Sequence, residues 1–81
     1  MTVEYRPQRR PERADNVCRR LASQQFGIVT REQALDAGLS AEAIQRRIAG
    51  GTFERLYRGV YRMAGAQPSW EQDLFAAQEW A

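Results

Sequence analysis

The sequence predicts a mainly α-helical domain with one small β-hairpin. Three observations carry this. Two short helical patterns, capped by Thr30 and Ser40, flank Gly38. An aromatic and β-branched run follows (Phe53, Leu56, Tyr57, Val60 and Tyr61), interrupted by Arg58-Gly59, which suits a two-residue turn. A longer helical pattern precedes this block and another follows it. Helix, stub strand, helix, turn, helix and hairpin together describe a winged helix-turn-helix.

Residues 1–12, MTVEYRPQRRPE, hold two prolines and three arginines and are expected to form a flexible basic arm. The first helix should start between Pro11 and Ala14 and run to about Gln25. Ala14, Val17, Cys18, Leu21 and Ala22 fall on one face at helical spacing. Gly27 is expected to close this helix in a left-handed conformation. Ile28-Val29 is long enough only for a stub of edge strand. Thr30 and Gln33 form a capping box for the second helix, which Gly38 stops, and Ala34, Leu35 and Leu39 should face inward.

Ser40 caps the third helix without a box. Ile44 and Ile48 share its inner face with Ala41 beside them, leaving Glu42, Gln45 and Arg46 to solvent and Arg47 on the flank. If Arg58-Gly59 is a two-residue turn, Leu56 lies opposite Tyr61 and Arg55 opposite Arg62. Like charges paired across strands repel unless an anion lies between them, which points to a phosphate. A one-residue slip would remove that pairing.

Ser69 and Gln72 read as a second capping box before the last helix, WEQDLFAAQEW. Its stripe of Trp70, Leu74, Ala77 and Ala81 is expected to pack on the domain near Leu21. Phe75 and Trp80 are then left for a neighbour: a second copy, a downstream domain or a partner protein. The expected organisation is an arm at 1–12 and one winged helix-turn-helix domain at 13–81, its C-terminal segment 66–81 leading into a further domain.

Composition narrows the function. At 81 residues the chain buries about 60% of its unfolded surface, so its stability should be modest. All twelve basic residues are arginine and there is no histidine. Residues 1–68 hold twelve arginines and seven acids, net +5, while residues 69–81 hold Glu71, Asp73 and Glu79 and no base. A basic body with an acidic last helix suits a polyanion on one side and another partner elsewhere, although the same charges also suit a solvated surface. The absence of histidine, a single cysteine on an apolar stripe and scattered carboxylates leave no acid–base pair, no nucleophile–base pair and no metal cluster. The expectation is therefore no enzyme, no metal and no cofactor. Lack of a signal peptide pattern and of a long apolar run points to the cytoplasm.

Arginine and glutamine on an exposed helix can read guanine and adenine edges in a major groove, and arginines on a neighbouring hairpin suit phosphates. The candidate double-stranded DNA contacts are Arg31, Ser40, Ala41, Gln45, Arg46, Arg47, Arg55, Arg58 and Arg62.

The run LASQQFGIVTREQALDAGLSAEAIQRRIAGGTFERLYRGVYRMAG resembles the N-terminal winged helix-turn-helix of AbiEi-type antitoxins from type IV toxin–antitoxin systems. The matching features are Gly27 followed by Ile28-Val29-Thr30, the Gly38-Leu39-Ser40 turn, Ile44 with Arg47, and the Arg58-Gly59-Val60-Tyr61 wing. The resemblance covers residues 20 to 77. It implies operator binding and repression of the protein's own operon, and it brings in a cognate toxin as a partner. Relatives carry a further domain after the last helix, either a second antitoxin domain or one resembling a very-short-patch-repair endonuclease. A protein-interaction module and the targeting domain of such a nuclease therefore stand as alternatives.

Overall fold

Proline at the first position of a helix gives up a hydrogen bond that the first turn does not make, and Pro11 opens α1 (Pro11–Gln24). The computed structural model describes residues 11–81, so the expected arm, apart from Pro11 and Glu12, lies outside the described residues. After α1 come β1 (Ile28–Thr30), α2 (Arg31–Ala37), α3 (Ala41–Ala49), β2 (Phe53–Tyr57), β3 (Val60–Met63) and α4 (Trp70–Trp80). The strands form one antiparallel sheet in the order β1-β3-β2.

Both expected helix caps of the turn motif are present. Thr30 Oγ1 accepts from the Gln33 N–H, and the Gln33 side chain accepts from the Thr30 N–H, both near 3 Å. Gly38, at φ +116°, ends α2 in the left-handed region that glycine adopts without strain. Ser40 Oγ accepts from the Ala43 N–H at 3.0 Å and starts α3. The turn after α1 is shared by two residues: Phe26 (φ +59°) and Gly27 (φ +92°) are both left-handed. A Cβ on Gly27 would stand 2.5 Å from the Ala66 Cβ, so this position needs glycine for space as well as for backbone freedom.

Strand alternation sends side chains to two faces of the sheet. Val29, Phe53, Tyr61 and Met63 face α1, α2 and α3 and meet Ala14, Cys18, Ala22, Ala34, Leu39, Ala43 and Ile44 in the main core. Phe53 and Tyr61 stack there with centroids 5.4 Å apart. Ile28 and Val60 face the other way and pack on Ala76, with Leu56 and Phe75 at the edge. The sheet is thus covered on one side by the helix-turn-helix and on the other by α4.

Several expectations about faces are corrected. Ala43, not Ala41, shares the inner side of α3 with Ile44, and Ala41 is exposed. Leu35 is 37% exposed instead of inward. The largest correction concerns α4. Trp70 and Leu74 are 71% and 52% exposed, while Gln72 and Ala76 are fully buried. Phe75 packs into the second core against Phe26 at 6.1 Å, whereas Trp80 stacks on Tyr57 at 5.3 Å and stays exposed, as expected. The expected packing stripe is therefore the outer face, and α4 lies across the sheet instead of along α1.

The reason lies in Gln72. Ser69 accepts from its backbone N–H at 3.1 Å, but its side chain does not return to complete a box. Its amide nitrogen donates to the carbonyls of Phe26 and Gln67, and its oxygen accepts from Arg62. The two amide bonds satisfy backbone carbonyls at the turn after α1 and in the loop before α4, which an apolar side chain would leave without this partner. They turn α4 so that Phe75 and Ala76 meet the sheet.

Candidate nucleic-acid interface

The wing's register differs from the one expected. Tyr57 pairs with Val60 across a two-residue Arg58-Gly59 turn, as the sequence suggested, with Gly59 at φ +73°. A bulge at Leu56 then shifts the strands by one residue, so Arg55 lies opposite Tyr61 and Glu54 opposite Arg62. The Arg55–Arg62 pair does not form, and the phosphate argument built on it falls. The bulge places Phe53 opposite Met63, both buried, and gives Arg62 a carboxylate. Arg62 Nη2 and Nε reach Glu54 Oε1 at 2.5 and 3.2 Å, and Nη1 reaches Gln72 Oε1 at 3.2 Å.

Arg47 is likewise taken up inside the domain. Its Nε and Nη2 hold the two oxygens of Asp15 at 2.7 and 2.9 Å, and Nη1 donates to the Ala43 carbonyl at 3.0 Å. This fork is the bidentate geometry that suits arginine to carboxylates. The hydrogen bonds to Asp15 raise the Arg47 pKa above its ordinary value, outweighing burial, which lowers it. The bridge clamps α3 to α1 across 32 residues of sequence. Sequence periodicity missed it, because Asp15 merely flanks the apolar stripe. Gln25, just after α1, is tied to α2, its amide exchanging two hydrogen bonds with Gln33.

The remaining candidates are outward. Ser40 at the cap and Ala41, Gln45 and Arg46 on α3 lie exposed, joined by Glu42. Arg55 and Arg58 are exposed on the wing and Arg31 at the start of α2. Among the described residues, no ion pair or side-chain hydrogen bond engages Gln45, Arg46, Arg55, Arg58 or Arg31. The Arg31 N–H donates to the Gly59 carbonyl at 2.8 Å, which fastens the wing turn to α2. Arg31 and Arg58 consequently line one cleft of about 340 Å³, together with Glu32 and Glu79. Glu79 belongs to α4 and was not among the expected site residues.

Cys18 is buried in the main core, and burial, with some help from Asp15, raises its thiol pKa. Ionisation is disfavoured there, in keeping with a packing role.

Three helices and a β-hairpin wing, with a capped third helix turned outward, define a winged helix-turn-helix. Residues 17–64, more than half of the chain, match the family model described as "Transcriptional regulator, AbiEi antitoxin". The chain belongs to that family of antitoxin transcriptional regulators, as the Gly38-Leu39-Ser40 turn and the Gly59-Val60-Tyr61 wing implied. No curated protein and no solved structure matches it significantly. Among the described residues, no helix is long and apolar enough to cross a membrane.

Proposed function

We propose that this domain binds operator DNA sequence-specifically and represses its own operon. The outer face of α3 is the supporting observation: Ala41, Gln45 and Arg46 are exposed together, and the polar pair spends nothing on internal contacts among the described residues. α3 enters the major groove, where Arg46 reads guanine and Gln45 reads adenine, and Ser40 and Ala41 approach the groove's edge. Arg31, Arg55 and Arg58 hold phosphates on either side. Arg47 and Arg62, committed to Asp15 and Glu54, act as braces that hold α3 and the wing in place. A gel shift on the region upstream of the operon tests this. Arg46→Ala should lose more affinity for that region than for random DNA, and equal loss on both would reduce Arg46 to a phosphate contact.

A second reading, a protein-interaction module, has one observation in its favour. α4 is apolar on two sides: Phe75 and Ala76 inward, Trp70 and Leu74 outward beside exposed Phe26. Glu71 and Asp73 flank the outer side, so the partner that suits it is a basic protein surface. A second copy's α4 would bring the same acids against it. Of the two rings expected to meet a neighbour, Phe75 is taken up within the domain, while Trp80 stacks on Tyr57 and remains 58% exposed. A DNA-targeting role beside a nuclease would use the same α3 face, and the codons following residue 81 distinguish it from repression.

A further inference from the structure

The cleft between α2 and the wing holds two arginines of the proposed DNA face and a carboxylate from a helix that otherwise lies on the far side of the sheet. Arg31 and Arg58 line it from α2 and the wing turn, and Glu79 lines it from the last turn of α4. Glu32 lines it as well, so two positive and two negative groups share one opening. Among the described residues, Glu79 forms no ion pair with either arginine. A carboxylate lining the same cleft as two guanidiniums, without pairing to them, lowers the positive potential of the cleft.

The placement of Glu79 is maintained by its neighbour. Trp80 stacks on Tyr57 at 5.3 Å with the rings 21° apart, and Tyr57 immediately precedes Arg58. The aromatic pair therefore ties the end of α4 to the wing tip. Asp73, on the same helix, is exposed and does not line the cleft.

We propose that Glu79, held at the wing by the Tyr57–Trp80 stack, is a built-in antagonist that weakens the hold of Arg31 and Arg58 on DNA phosphate. It determines how much affinity comes from the sequence-independent backbone contact and how much is left for α3 to supply by base reading. Phosphate repulsion by one nearby carboxylate acts on all sequences alike, so it lowers background binding and leaves discrimination to Gln45 and Arg46. This inference rests on the DNA-binding reading and deepens it.

The test compares E79Q with D73N, which removes the same charge from the same helix away from the cleft. The probe is a short mixed-sequence duplex, titrated between ~50 mM and ~200 mM salt. E79Q should bind about two- to five-fold tighter at the low end, with a steeper salt dependence, and D73N should stay near wild type. W80A should move in the same direction as E79Q, because the last turn loses its anchor. Equal gains in D73N and E79Q would mean that only net charge matters and would overturn the proposal. Unchanged binding in E79Q would also overturn it, and unchanged binding in W80A would remove the stack from the account. If the wild type fails to bind duplex at ~50 mM salt, the DNA-binding reading itself fails, a different outcome from either.

Discussion

Asp15 and Arg47 illustrate what single residues do in this fold. The pair is mostly shielded, with side chains 26% and 15% exposed, so its hydrogen bonds are only partly weakened by water. Asp15→Ala would strand the guanidinium and should cost about 2 kcal/mol in urea unfolding, the scale of a hydrogen bond to a charged group. Gly27→Ala should cost at least as much, since it meets both a positive φ and the Ala66 methyl. Cys18 should react with a thiol reagent only after unfolding. Its raised pKa also has a stability consequence. Above its ordinary value of 9.0 the unfolded chain ionises while the folded chain holds its proton, so this residue's contribution is present below that pH and falls as pH rises through it. At this scale the sequence was readable where the signal was local. The caps at Thr30 and Ser40, the stop at Gly38 and the buried Cys18 each depend on neighbours a few positions away. Arg47 with Asp15, and Arg62 with Glu54, depend on how elements dock, and periodicity says nothing of that.

At the scale of elements, the wing and α4 behave differently from what patterning alone implied. One bulged residue, Leu56, shifts the register and converts a repelling arginine pair into an ion pair. A bulge has no composition signal in FERLYRGVYRM, and both registers keep the same turn. The wing variants should therefore separate. Arg58→Ala should weaken binding on every sequence and flatten the salt dependence by about one unit of slope. Arg62→Ala should leave the slope unchanged and lower stability, read by urea midpoint. For α4, helical spacing identified two apolar faces correctly but not which one meets the sheet. Gln72 decides that, through the Phe26 carbonyl, which only the folded turn after α1 presents. Phe75→Ala should destabilise by about 2–3 kcal/mol, below the cost of a fully buried ring. Trp70→Ala should leave stability within about 0.5 kcal/mol, as for an exposed site.

For the whole molecule, the sheet separates two working sides. One side carries the helix-turn-helix with its outward α3, and the other is covered by an acidic helix with an exposed apolar stripe. The fold class and, Ala41 apart, the outward α3 residues were legible because caps, glycine and aromatic runs all agree in one order. The contribution of α4 at the wing was not, because Glu79 comes to line one cleft with Arg31 and Arg58 only once the chain is folded. On the proposed reading, DNA lies on the α3 side and the exposed stripe of α4 is left for a protein partner. The most direct test of the central claim is a competition gel shift with the region upstream of the operon, at physiological salt, against excess random duplex. The expected result is a complex that survives the competitor in the wild type and is lost in Arg46→Ala while both proteins remain folded. A wild-type complex that random duplex displaces as readily as the upstream region itself would contradict it.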